Sequence, residues 1–189
     1  PSNTLAVVKT GPGTQTLAGA NIGNGGLAGM TVQNGDLVLT NTTGLSFGIQ
    51  VDGGRLLLAN ATAANNRPVT NNAPGGVGFL HTNAFSLGTL AGNGSIWLTN
   101  NTGAPVTLTL GNGNMSGDYA GTLGGPGAVT KAGSGTITLA GADTYDGVTH
   151  VAAGTLLVAN SLALGSTVGG VTMADGGIVS LANGITVAG

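Results

Sequence analysis

The acids of this chain are six aspartates, Asp36, Asp52, Asp118, Asp143, Asp146 and Asp175, with no glutamate. A pair of carboxylates about 5–10 Å apart could cleave a glycosidic bond, one as acid and the other as base or nucleophile. Only Asp143 and Asp146 stand near one another, flanking Tyr145. His81 and His150 are single histidines without metal-ligand spacing around them. The chain has no cysteine, which removes disulfides, thiolate-held zinc and thiol nucleophiles together. No glycine–aspartate nonapeptide for calcium occurs either. No catalytic, cofactor-binding or metal-ligating residue is assigned on this basis, and no cofactor is expected.

Other chemistry is carried by hydroxyls, amides and one indole. Thr-x-Thr pairs at Thr14/Thr16, Thr107/Thr109 and Thr136/Thr138 could face ice as a flat ladder, but they do not recur at consecutive intervals. Asn41, Asn60, Asn93, Asn100 and Asn114 open Asn-x-Ser/Thr triplets that would accept glycans on a secreted chain. Trp97 stands between Ile96 and Leu98, so strand alternation turns it outward. The cations are Lys9, Arg55, Arg67 and Lys131 and the net charge is −2, which excludes nucleic acid as a partner held by phosphate neutralisation.

The elements that position these residues follow from composition and repetition. Charged residues are 5% of the chain, against about 25% in an average domain. Gly supplies 38 of 189 residues while hydrophobic residues make up 41%. Aliphatics at alternate positions between Gly- and Asn-rich turns call for short strands. A helix bundle is excluded, because each interior glycine costs about 1 kcal/mol. No apolar run of about 18 residues spans a membrane as a helix. The chain opens at Pro1-Ser2-Asn3 without an initiator Met, so a processed or excised piece is expected.

One text recurs: Gly, any residue, aliphatic, any residue, aliphatic, Thr or Ala, Asn. It spans Gly35 to Asn41, Gly54 to Asn60, Gly94 to Asn100, Gly154 to Asn160 and Gly177 to Asn183, with a weaker copy at Val77 to Asn83. Copies ending in Gly run from Gly13 to Gly19 and from Gly135 to Gly141. The spacing averages about 20 residues, a solenoid period. It predicts an all-β, right-handed parallel β-helix of about nine rungs of about 20 residues, continuous over 1–189 and part of a longer array. A β-sandwich has no reason to repeat its text in this way.

Stacked rungs would bring like residues into line. One inward column is expected to be Leu37, Leu56, Phe79, Ile96, Ile137, Leu156 and Val179, and the next Leu39, Leu58, Leu98, Leu139, Val158 and Leu181. An amide ladder is expected from Asn41, Asn60, Asn83 and Asn100, then Asn160 and Asn183. His81 is expected on the surface beside a bulge that turns Leu80 inward. Asp36 and Arg55 fall on the same outward position of adjacent rungs and predict an exposed ion pair worth about 0–1 kcal/mol. Residues 6–20 return at 128–142, an offset of 122 residues, close to six rungs.

From Gly124 to Val158 the chain resembles the passenger-associated repeat of bacterial autotransporters. Lys131, Gly133, Gly135, Leu139, Gly141, Tyr145, Gly147, Thr149, Val151, Gly154 and Leu156 stand on that family's marked positions. Residues 7–40 repeat the text more weakly, with the Tyr-x-Gly-x-Thr element reduced to Ile22-Gly-Asn-Gly-Gly. The resemblance implies a secreted or bacterial cell-surface passenger with a parallel β-helix stem, and implies no activity.

The expected function is a structural or adhesive extracellular scaffold, not an enzyme. Its expected partners are other copies of itself, end to end or side by side, or cell-surface and matrix components. Two alternatives stay open. One is an adhesin that binds surface or matrix glycans, for which the Asn60–Gly76 stretch is the expected site. The other is a polysaccharide-active β-helix enzyme, which this fold also hosts.

Overall fold

The computed structural model describes residues 5–18, 27–40, 45–64 and 66–187. Asn41 and the stretch 22–26 lie outside the described residues. Every described strand is short, and each strand's hydrogen-bonded neighbours come from the turns of chain before and after it.

One parallel sheet stacks β1 (Leu5–Lys9), β3 (Leu27–Val32), β5 (Ile49–Val51), β7 (Pro68–Asn71) and β10 (Thr89–Ala91). A second stacks β2 (Thr14–Leu17), β4 (Asp36–Leu39), β6 (Arg55–Leu58), β8 (Val77–Phe79), β11 (Ile96–Asn100), β14 (Leu123–Gly125) and β17 (Thr144–Tyr145). A third holds β9 (Ala84–Ser86), β12 (Thr107–Leu110), β15 (Ala128–Lys131), β18 (Thr149–Val151) and β20 (Val171–Met173). The fourth holds β13 (Gly117–Tyr119), β16 (Thr136–Leu139), β19 (Gly154–Val158) and β21 (Gly177–Leu181). A parallel bridge between Gly92 and Tyr119 carries the first sheet on into the fourth. The Ala120 N–H reinforces it by donating to the Gly92 carbonyl at 2.9 Å. The result is a parallel β-solenoid of about eight turns, where the spacing predicts about nine rungs.

Alternation sets the core. In β6 Leu56 and Leu58 are buried while Arg55 faces solvent, and β4, β12, β15 and β16 alternate in the same way. Leu39, Val32, Val51, Leu98, Leu108, Ile137 and Val158 are all fully buried. Burial at about 25 cal/mol per Å2 of apolar surface is what holds this coil together. Asp36 lies opposite Arg55, and the two side chains form a bidentate pair at 2.8 and 2.6 Å.

The columns differ from the expectation in two ways. Phe79 stands in line with Leu39 and Leu58, and Val77 takes its expected place beside Leu56 and Ile96. Leu98 is buried, but the register breaks within β11 between Ile96 and Asn100. The columns also change face. Leu37 and Leu56 lie on the second sheet, whereas Ile137, Leu156 and Val179, with Leu139, Val158 and Leu181, run in register on the fourth.

The cause lies in the corner positions. The arch at residues 6–17 leads from the first face to the second, while its echo at 128–139 leads from the third face to the fourth sheet, which continues the first. The offset of 122 residues is therefore not a whole number of turns.

The asparagines do not form one amide ladder. Asn60, Asn100 and Asn160 cap their own turns, accepting from the N–H of Thr62 (3.0 Å), Thr102 (2.9 Å) and Leu162 (3.0 Å). Asn100 Nδ2 donates to Asn83 Oδ1 at 2.8 Å, the one amide-to-amide contact of the expected set among the described residues. Asn183 is exposed in the last turn. An asparagine side chain two residues behind an N–H mimics a backbone turn, which satisfies a corner without a neighbour above.

Candidate functional site

The acids do not converge. Asp52 is exposed, accepting from Gln50 Nε2 (2.9 and 2.8 Å) and Asn72 Nδ2 (2.9 Å). Asp146 accepts from Ser166 Oγ at 2.9 Å on the surface. Asp118 and Asp175 are also exposed, and Asp36 is held by Arg55, which keeps its carboxyl below the usual range. Among the described residues no group of three metal-ligating side chains forms. His81 is exposed in left-handed backbone (φ 64°), and His150 Nδ1 meets Thr172 Oγ1 at 2.9 Å. Val77 and Phe79, not Leu80, are the inward residues beside it. The Thr-x-Thr pairs sit in β2, β12 and β16, on three different sheets, so these pairs form no flat ladder.

The Asn60–Gly76 stretch does not protrude. Ala63 and Ala64 are buried, and β7 pairs in register with β5 and β10. Its turn has the same form as the one after Asn160. In both, the N–H three residues on, of Ala63 or Ala163, donates to the asparagine carbonyl at 3.1 Å. Ala163, like Ala63, faces inward.

Polar chemistry is instead concentrated inside the coil. Tyr119, Asp143, Tyr145, Lys131, Asn71 and Thr149 are all buried, and the sequence pattern did not single them out as interior groups. The Tyr119 hydroxyl donates to the Gly94 carbonyl. Tyr145 bonds Thr149 Oγ1 at 2.5 Å, and Thr149 donates on to the Leu164 carbonyl at 3.3 Å. Burial pushes both phenols above their ordinary range. Asp143 Oδ1 accepts from the Leu123 N–H at 2.8 Å. Its Oδ2 is buried with no partner among the described residues, and desolvation pushes its carboxyl up to about 7. A buried carboxylate with one oxygen unpaired is costly as an ion.

Lys131 serves the turns. Its Nζ donates to the carbonyls of Ala132 (2.6 Å), Gly133 (2.8 Å) and Ala153 (3.0 Å), so it ties its own turn to the next one. Lys9 repeats the device, donating to Gly11 and to Asn34 (3.0 Å) of the following turn. The glycine after each bridged carbonyl, Gly35 and Gly154, has φ of 66° and 65°, a conformation that excludes most side chains. An ammonium aimed at turn carbonyls is a structural clamp. Burial lowers the Lys131 ammonium's affinity for its proton, but three carbonyl acceptors offset that cost.

The same two stretches are those that match a known family. The passenger-associated-transport-repeat model fits residues 7–39 and 129–158. The first covers most of β1 through β4 and the second most of β15 through β19, each opening on a strand that ends in the clamp lysine. No curated protein matches the chain, and no solved structure does.

Proposed function

We propose that this chain, which carries two passenger-associated-transport-repeats, is part of the stem of an extracellular, autotransporter-type passenger and acts as a self-associating structural scaffold. The single observation that carries the reading is the coil itself, in which in-register parallel strands bury aliphatics and the turns are clamped by Lys9 and Lys131. Lys9, Lys131 and the Asp36–Arg55 pair tie neighbouring turns of the coil together. The family match supports a place outside the cell, on a bacterial surface or released from it.

Self-association is the reading that the surface favours. With 5% charged residues and a net charge of −2, little repulsion keeps flanks apart. Sedimentation and negative-stain electron microscopy of the purified chain test this. Concentration-dependent rods or lateral bundles are expected, and monodisperse particles at every concentration would refute self-association.

A further inference from the structure

Trp97 is the only tryptophan of the chain, and it is 59% exposed. On the outward side of the second sheet Val38, Leu57 and Gly78 run in register, and Trp97, Gly124 and Thr144 continue the row beyond the register break within β11. Two glycines in that row shape its surroundings. A Cβ placed on Gly124 would meet Trp97 Cζ3 at 2.7 Å, and one on Gly125 would meet Cε2 at 3.1 Å. The indole thus lies down over the bare backbone of the next turn, with one face covered and the other open. Gly78, with no side chain of its own, leaves a shallow notch beside Leu57, whose Cδ2 lies 2.8 Å from where a Cβ would stand.

The notch belongs to a depression of about 350 Å3, whose lining includes Arg55, Leu57, Gly78, Trp97, Thr99 and Asn101. Its donors are set in planar groups. Arg55 commits Nε and one terminal nitrogen to Asp36, leaving the other terminal nitrogen without a partner among the described residues. Asn101 accepts from the His81 N–H at 2.9 Å through Oδ1, which fixes the amide and leaves Nδ2 to donate outward. The Asp36 carboxylate cancels the Arg55 charge, and no other charged side chain lines the depression. The site is neutral, flat on one wall and edged by hydrogen-bond donors.

We infer that this depression is a binding site for a neutral sugar ring, stacked on the open face of Trp97 and hydrogen-bonded at its rim by Arg55 and Asn101. A pyranose presents C–H groups on one face, which suit the electron-rich indole face, and hydroxyls around its edge. A nucleotide or nucleic-acid strand would need cationic groups for its phosphates, and the depression has no uncompensated cation. The inference is independent of self-association, because it places a ligand on the flank of a single coil.

The test is tryptophan emission, which reads this site alone because no other indole contributes. Dilute protein is titrated with cellohexaose, chitohexaose and maltohexaose to about 10 mM, the weak range suited to a shallow site. A saturable emission shift with at least one of them is expected. Gly78→Val fills the notch without removing the reporter, since the nearest obstacle to its Cβ is the movable Leu57 Cδ2 at 2.8 Å. It should weaken that binding tenfold or more with unchanged circular dichroism. Trp97→Ala should abolish retardation in gels containing the matching polysaccharide. No shift with any of the three sugars, or equal binding by Gly78→Val, would overturn the site. A shift that follows protein concentration without sugar would assign the face to a second copy and overturn it as well.

Discussion

Raising the pH through neutrality should weaken this fold, and the cause is one carboxyl. Asp143 is 2% exposed, with Oδ1 bonded to the Leu123 N–H and Oδ2 unpaired. Desolvation raises its folded-state value to about 7, whereas in the unfolded chain it titrates near the ordinary 3.8. The folded state thus holds a proton that the unfolded state releases. Its stabilising contribution is full below about pH 4 and is lost as pH rises through about 7. At about 1.4 kcal/mol per tenfold change in proton affinity, the difference across that interval is about 4 kcal/mol. Asp143→Asn keeps an acceptor for the Leu123 N–H and cannot ionise. Urea midpoints followed by circular dichroism at pH 5 and pH 8 are the assay. The wild-type chain should lose about 3 kcal/mol between them, since part of the contribution is already gone at pH 5, and Asp143→Asn should lose little. Equal wild-type stability at both values, or the same loss in Asp143→Asn, would refute the reasoning.

Four further outcomes follow from the same coil, each read from denaturant midpoints. Leu58→Ala should cost about 2–5 kcal/mol because Leu58 is 1% exposed, while its outward neighbour Leu57→Ala should cost under about 1 kcal/mol. Lys131→Met strips three turn carbonyls of their donor and should cost about 2–4 kcal/mol. Arg55→Ala, which breaks the pair with Asp36 at 57% side-chain exposure of the arginine, should change stability by less than about 1 kcal/mol, and less still in high salt. Gly121→Ala should cost more than about 3 kcal/mol or block folding, because its Cβ would stand 1.9 Å from the Gly94 carbonyl oxygen, which belongs to backbone.

How far the sequence was legible depends on what each signal can distinguish. Alternation separates inward from outward residues, and the exposed Trp97 and the Asp36–Arg55 pair both lie where that rule puts them. A slip of two residues leaves alternation unchanged, which is why the repeat text alone puts Phe79 one inward position away from its place. The copy there begins at Gly75, as Leu56 pairs with Val77 and Leu58 with Phe79. His81 then takes the place of Asn60, and its positive φ shows the left-handed backbone reached at that corner. The change of face between the two repeat copies was hidden for a different reason. A repeat text fixes a strand–turn–strand arch but not which side of the coil the arch occupies. The buried polar groups were hidden because Tyr145, Asp143 and Thr149 read as an ordinary turn. Only the interior packing reveals that Asp143 is enclosed and that Tyr145 is 0% exposed.

Cross-linking of engineered cysteines reads the parallel register directly, and no native cysteine interferes. Val38→Cys with Leu57→Cys, and Thr138→Cys with Leu157→Cys, place thiols on paired outward positions of adjacent turns. Both double variants should form an intramolecular disulfide under mild oxidation, since neighbouring strands lie about 4.8 Å apart. Leu57→Cys with Leu157→Cys, far apart along the stack, should form none. Failure of both adjacent pairs, or cross-linking of the distant pair within one molecule, would contradict the stacked coil on which the scaffold reading rests.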